Sequence, residues 1–311
     1  MKPFNEVLDQ VNANLSAVEN ELIQEFVAPE FPTVFIVGPP RSGTTLLLQG
    51  IINHLDLSYI NNFVAKFWEA PALGCLLFKD LLKPGAKVQY TSDYGFTQYP
   101  HEPHEFGYFW KRFFHYEETH ELSPASLAKI DSALLLKEVA AMEAIMEKPV
   151  IFKNPPALSL QIDFLNDTFK NAIFLYTKRD LLDNAKSLLK GRLEYMDDVE
   201  TWFSTKPAEY GSLKNLPVAE QIVGQIDAIQ RKIEKSLEGI PSEKKLVVSY
   251  EDFCRDPAAV LQKVRNLLLA NGYDSQIRDT GRIESFSKTS PAEVIEGITD
   301  QFISAIQKLK P

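Results

Sequence analysis

The chain has 311 residues, 45% of them hydrophobic, and a formal net charge of −9. That length supports one large core or two small ones. The acidic balance argues against a nucleic-acid partner, whose phosphates select basic surfaces. The two cysteines, Cys75 and Cys254, lie far apart, and the five histidines show no metal-ligand spacing outside the cluster at His101 and His104. Neither a disulfide framework nor a zinc site is expected, and a reducing compartment suits this composition. No apolar run approaches a membrane span, and Met1-Lys-Pro-Phe-Asn-Glu has no signal-like core, so a soluble, cytoplasmic protein is expected.

Residues 4–26 place apolar side chains at Phe4, Leu8, Val11, Leu15, Val18, Leu22 and Phe26, the steps of a single helical stripe. Three heptads are short for a free coiled coil. The stripe is therefore expected to dock on its own domain, with a homodimer as the alternative. The domain plan is residues 1–28 as docking helix and 29–311 as the domain proper.

Val34-Phe35-Ile36-Val37 reads as a buried strand, broken by Gly38-Pro39-Pro40. Ser42, Gly43, Thr44 and Thr45 then open a helix over 44–53. A strand, a tight turn and a helix start make an anion cradle: the first helical N–H groups lack internal partners and the helix dipole is positive there. Arg41 adds a planar fork of donors. Gly38, Gly43 and Thr45 fit the spacing of a nucleotide-binding P-loop, but Thr44 stands where its lysine belongs. The cation lies inside the loop instead, at Arg41.

Residues 60–82 read as a largely buried helical stretch, and 84–90 as a short strand around Val88. Residues 93–120 are dense in aromatics and enclose His101-Glu102-Pro103-His104-Glu105. Such a stretch can be core, pocket wall or both. A helix over 124–147 follows, then a strand ending Phe152-Lys153-Asn154-Pro155, a helix over 158–169, and the strand 172–176 leading to Arg179-Asp180. The helix 182–192 holds Ser187. Residues 204–217 read as a mobile flap, and a long helix covers 218–238. The strand 245–249 runs into Tyr250-Glu251-Asp252, a helix covers 257–271, and a last helix ends the tail over 281–310. Strands alternating with helices predict an α/β fold: a P-loop-like, three-layer arrangement of a central parallel sheet flanked by helices. Ligands bind at the carboxyl ends of such strands, where Arg41, Lys153, Arg179 and Tyr250 fall.

Pro39-Pro40-Arg41-Ser42-Gly43-Thr44-Thr45 resembles the 5′-phosphosulfate loop of sulfotransferases that use 3′-phosphoadenosine 5′-phosphosulfate (PAPS). Arg179, eight residues before Ser187, is similar to their 3′-phosphate signature. Lys153-Asn-Pro looks like the Lys-Asp-Pro of tyrosylprotein-type and bacterial members. Tyr250-Glu251-Asp252 resembles a recurring segment, and Ser290 loosely matches a C-terminal nucleotide-binding serine. The likeness runs from about residue 31 to 295. It implies an enzyme of the EC 2.8.2 type, a nucleotide-binding transferase with PAPS as co-substrate and no metal. The implied nucleotide ligands are Arg41, Ser42, Gly43, Thr44, Thr45, Arg179, Ser187, Tyr250, Lys288 and Ser290, with Lys153 on the transferring sulfonate. The tyrosylprotein enzymes carry a Gly-Glu-Glu segment that supplies the base, whereas this chain has Tyr59-Ile-Asn-Asn-Phe63.

The implied reaction is a single in-line displacement at sulfur, which needs positive charge on the sulfonate oxygens, a donor on the leaving oxygen and a base on the acceptor. His101, Glu102, His104 and Glu105 are the base candidates, with His104 oriented by Glu105 preferred. The expected partner is a small-molecule, lipid or sugar acceptor, of apolar or ring character, bearing a hydroxyl or amine. The competing readings are a P-loop kinase or NTPase and an inactive binding protein on the same fold.

Overall fold

The structure is a computed structural model that describes residues 3–82, 87–278, 285–288 and 295–309. Five strands, β1 (Thr33–Val37), β2 (Ser58–Tyr59), β3 (Val150–Lys153), β4 (Ala172–Lys178) and β5 (Lys245–Ser249), form one sheet in the order β2-β3-β1-β4-β5. All neighbouring pairs are parallel. From β1 the chain turns to one side of the sheet and from β4 to the other. The crevice beyond their carboxyl ends is where an open α/β sheet takes ligands.

β1 is buried on both faces, and its side chains alternate between two cores. Phe35 and Val37 join a cluster with Phe109, Trp110, Phe152 and Phe174. Val34 and Ile36 face Leu47 and Ile51 of the helix Thr44–His54 and Val264 and Leu268 of the helix Pro257–Ala270. Phe35 stacks between Phe152 and Phe174, with ring centroids 6.0 and 5.6 Å away. Truncating such a ring costs about 3–5 kcal/mol, so this layer holds the cradle's supporting strand rigidly.

Several predicted elements differ from those observed. The 60–82 stretch is broken into a 3-10 turn Val64–Lys66, a helix Pro71–Leu77 and a π turn Phe78–Leu82, because Pro71 has no N–H to continue an earlier helix. Part of the 84–90 strand lies outside the described residues. Val88 itself is in no strand; the Asn53 side chain meets both its N–H and its C=O, each at 2.9 Å. The 124–147 helix is two, Pro124–Leu127 and Ser132–Met146, the second capped by the Asp131 carboxylate. Gly107–Phe113 inside the aromatic stretch, Pro155–Leu158 after β3 and Tyr250–Arg255 after β5 are helices absent from the prediction. The segment 204–217 contains a helical turn, Tyr210–Leu213. Its start is tied down: Lys206 N–H donates to His120 Nδ1 at 2.7 Å, and Gln225 Nε2 donates to the Phe203 and Thr205 carbonyls.

The N-terminal helix, Phe4–Ile23, meets the domain through a polar face. Asn12 bonds the Lys66 carbonyl and the Glu69 amide. The Glu19 carboxylate accepts from Ala72 and Leu73 N–H at 2.7 and 3.0 Å, capping the helix Pro71–Leu77. Phe4, Val11, Val18 and Leu22 of the apolar stripe are exposed, while Asn12, Glu19 and Ile23 are buried. The contact is thus made one position round the helix from the stripe. Among the described residues no helix is long and apolar enough to cross a membrane.

Candidate active site

The cradle loop follows β1. Arg41 has φ 66°, a left-handed conformation that a non-glycine residue adopts at a cost, and Gly43 has φ 96°. A Cβ on Gly43 would lie 2.5 Å from Tyr250 Cδ2, so only glycine fits there. One strand and two helices lock the loop. Gly38 N–H donates to Ser159 Oγ, which donates back to Gly38 C=O, both at 3.0 Å. Ser42 Oγ meets Thr177 Oγ1 at 2.7 Å, and Asn184 Nδ2 donates to the Pro40 carbonyl at 2.7 Å. No side chain caps the helix that starts at Thr44. Its first N–H groups keep their capacity for an anion.

Three cations converge on this loop from the ends of β1, β3 and just past β4. Arg41 Nε donates to Ser187 Oγ at 3.2 Å, and its guanidinium carbon lies 4.5 Å from the centre of the Tyr94 ring. Burial and the nearby Arg179 lower the Arg41 pKa, while Tyr94, Asp93 and Glu105 act to raise it. Arg179 is 7% exposed, donates from Nη1 to the Arg41 carbonyl at 3.0 Å and lies over the Tyr250 ring at 4.5 Å. Lys153, the last residue of β3, is 4% exposed and forms an ion pair with Glu105. Asn154 Nδ2 donates to the Glu105 carbonyl at 3.0 Å, which fixes that acid beside the strand end.

One cleft of about 590 Å³ is lined by Arg41, Gly43, Thr44, Thr45, Glu105, Lys153, Arg179 and Tyr250. Ser42, Ser187, His104 and Lys288 are not among the lining residues. Ser42 secures the loop to β4, Ser187 holds Arg41, and Lys288 pairs with Asp183 at 2.9 Å. Ser290 lies outside the described residues.

Glu105 and His104 are not the pair expected from the sequence. Glu105 turns to Lys153, and His104 Nδ1 accepts the Phe106 N–H at 2.8 Å. That bond uses the lone pair of one ring nitrogen and puts the proton of the neutral ring on the other. Burial, with Lys66 and Lys153 nearby, pushes the His104 pKa down to about 4, opposite in direction to an imidazole paired with a carboxylate. Glu102 is 2% exposed and accepts from Gln98 and Tyr99 N–H. The His101 ring stacks on Tyr99.

Tyr94 and Phe96 of the aromatic stretch form part of the cleft wall, which also includes residues to which the sequence reading gave no role: Gln49, Phe203, Phe286 and Ser287. Phe286 packs against Tyr90 and Phe253, and its N–H donates to the Cys254 carbonyl at 2.8 Å. Asp93-Tyr-Gly95 carries a turn signal, but the contact of Tyr94 with Arg41 is set by packing. Phe203 and Phe286 are brought in from loops that have no local signature.

No curated protein matches the chain by sequence. Among solved structures it is similar to sulfotransferase STF9 from Mycobacterium avium, with 15% identity, 97% of this chain and 73% of that one covered, and a TM-score of 0.51. It is also similar to sulfotransferase STF1 from Mycobacterium tuberculosis, with 17% identity, 82% and 72% covered, and a TM-score of 0.49. A sulfotransferase from Alicyclobacillus acidocaldarius shares 15% identity over 90% of this chain and 94% of that one, with a TM-score of 0.45. Residues 32–269, from the start of the cradle's strand through the helix behind β5, match the sequence profile of the Sulfotransferase family, and the chain belongs to that family.

Proposed function

We propose that this sulfotransferase takes its sulfonate from PAPS and transfers it to a hydroxyl or amine of a small acceptor of apolar or ring character. The supporting observation is the convergence of Arg41, Lys153 and Arg179 on an uncapped helix start in one cleft. Two anionic groups on one nucleotide need two separated cationic corners. The Arg41 loop suits the 5′ end, and Arg179, reinforced by Lys288 from the 285–288 segment, suits the 3′-phosphate. Tyr250 offers a flat wall between them. The aromatic side of the cleft, with Tyr94, Phe96 and Phe203, suits an apolar or ring-bearing acceptor.

The acceptor oxygen or nitrogen attacks sulfur as the bond from sulfur to the 5′-phosphate oxygen breaks, and 3′,5′-adenosine bisphosphate leaves. Lys153 donates to that oxygen as charge gathers on it, and the cradle amides with Arg41 hold the sulfonate oxygens. Glu105 takes the acceptor proton: it lines the cleft, whereas the ring nitrogen that His104 offers to a base role is already occupied by the Phe106 N–H. Lys153 and Glu105 pair at the cleft wall. A nucleotide that draws Lys153 to its own oxygen would release the carboxylate for the acceptor. Two free cysteines, Cys75 and Cys254, are consistent with action in a reducing cytoplasm.

The test is calorimetric titration with 3′,5′-adenosine bisphosphate in EDTA, alongside Mg·ATP, followed by turnover of labelled PAPS over an acceptor panel. Tight bisphosphate binding without metal and no ATP binding is expected. The Lys153→Ala variant should keep product-nucleotide affinity within a few-fold while turnover falls by about 10²–10³. Binding of Mg·ATP in preference to the bisphosphate would reject the reading.

A further inference from the structure

Among the described residues, Arg41 makes no ion pair, although Asp93 and Glu105 are close enough to act on its charge. What meets its face is an aromatic ring. Tyr94 lies on the turn Asp93–Phe96, whose ends exchange both backbone hydrogen bonds at 2.9 Å. Tyr94 and Gly95 have φ 50° and 95°, the two left-handed positions of a tight hairpin. Tyrosine adopts that conformation only when its surroundings hold it.

They do so from several sides. The Tyr94 hydroxyl donates to the Glu194 carboxylate on the helix Leu181–Met196, the helix that also presents Ser187 to Arg41. Its ring packs edge-on to Tyr195 and Phe203, with centroids 5.4 and 6.2 Å away. Gly191 lies beneath it, where an added Cβ would sit 3.2 Å from Tyr94 Cε1. At the next residue, a Cβ on Gly95 would stand 2.8 Å from Glu105 Oε1 and 3.2 Å from Lys153 Nζ. One two-residue turn therefore touches both the Arg41 guanidinium and the Lys153–Glu105 pair.

We propose that Tyr94 is a positioning residue for Arg41: its ring holds the guanidinium, with Ser187 on the edge, in the attitude that receives the 5′ end of the nucleotide. A carboxylate in place of the ring would fix the arginine equally well but would neutralise it. A ring face attracts the cation through its quadrupole and leaves the full charge for an incoming anion. This assignment rests on the nucleotide reading given above.

The experiment compares 3′,5′-adenosine bisphosphate with 3′-AMP, which lacks the 5′-phosphate, in the wild type and in Tyr94→Leu, Tyr94→Phe and Tyr94→Trp. Melting temperatures are recorded alongside. Tyr94→Leu should weaken the bisphosphate roughly three- to thirty-fold and 3′-AMP less than about two-fold. Tyr94→Phe and Tyr94→Trp keep a ring and should keep the wild-type ratio of the two affinities. Equal weakening of both ligands by Tyr94→Leu would overturn the assignment, as would an unchanged ratio or a loss in Tyr94→Phe as large as in Tyr94→Leu. A wild type that binds the two ligands equally would overturn the placement of the 5′ end at Arg41 as well, so the two failures are distinguishable.

Discussion

Arg112 and Arg41 are both half-buried arginines surrounded by aromatic rings, and their partners differ in kind. Arg112 donates two hydrogen bonds to Glu138, at 3.0 and 3.1 Å, and one to the Trp68 carbonyl at 2.6 Å, and its Nε forms an ion pair with Glu69 at 2.8 Å. Its charge is fully answered by the fold. Arg41 has a hydroxyl on its edge and a phenol ring on its face. The first arginine joins the helix Gly107–Phe113 to the helix Ser132–Met146 and carries no surplus charge. The second is held in place without being neutralised, which is what an anion site requires. On the nucleotide reading proposed above, the chemistry of the partners, rather than burial alone, separates a structural cation from one kept for a ligand.

The contrast can be broken most severely at the cleft. Glu105→Gln should leave nucleotide binding intact and lower the sulfonation rate by about two to four orders of magnitude, the usual loss for a general base. His104→Ala should cost less than about ten-fold, because its accepting nitrogen is already used. Single-turnover kinetics with bound PAPS separates the two. A large loss in His104→Ala with near-normal turnover in Glu105→Gln would return the base to the imidazole.

On the structural side, Arg112→Met should destabilise the fold by about 3–5 kcal/mol, since Glu138 is 1% exposed and would be left without its partner. Affinity for 3′,5′-adenosine bisphosphate in the surviving folded fraction should not change. Denaturant unfolding and calorimetry measure these separately. A variant as stable as the wild type but weak in nucleotide binding would reverse the roles assigned to the two arginines.

Arg179→Ala is expected to lose about 1.5–3 kcal/mol of binding to the 3′-phosphorylated nucleotide, the range for a charge-assisted hydrogen bond. Its 3′-dephosphorylated analogue should be little affected. Equal losses for both would remove Arg179 from the 3′ corner.

The smallest effect concerns pH. Burial, with Lys206 nearby for His120 and with Lys66 and Lys153 for His104, pushes both imidazoles down to about 4, below the unfolded value of about 6.5. The folded state thus binds fewer protons than the unfolded state between those values. Their contribution is present above about pH 6.5 and shrinks as the pH falls toward 4. Relative to a His104→Gln/His120→Gln double variant, the wild type should lose melting temperature across that window. Parallel curves would show that the two rings titrate normally.

Much of this architecture is legible in the residues themselves. Val34-Phe-Ile-Val37 followed by Gly-Pro-Pro specifies a buried strand and its end, and Ser42-Gly-Thr-Thr45 specifies a helix start. Arg41, Lys153, Arg179 and Tyr250 each close or follow a run with strand character, and all four line the cleft. Long amphipathic elements such as 218–238 are readable because periodicity accumulates along them. The strand β2 was not legible, since two residues carry no period. Nor was the orientation of the N-terminal helix, because Asn12 and Glu19 dock by finding backbone partners some fifty residues away, at Glu69 and Ala72.

The sequence by itself determined the parallel α/β plan, the cradle after β1 and the cations at the strand ends. These follow from local rules: glycine and proline end strands, uncapped helix starts attract anions, and short continuous apolar runs seek a sheet covered on both faces. The tertiary structure decided the partners of those cations. Adjacent in the chain, His104 and Glu105 point to different neighbours, Phe106 and Lys153. Tyr94 reaches Arg41 across fifty-odd residues because a two-residue turn is propped by Glu194 and Gly191 from another helix. A side chain's protonation, its availability to a ligand and its role depend on which groups packing brings within a few ångströms. Chain proximity does not determine that set.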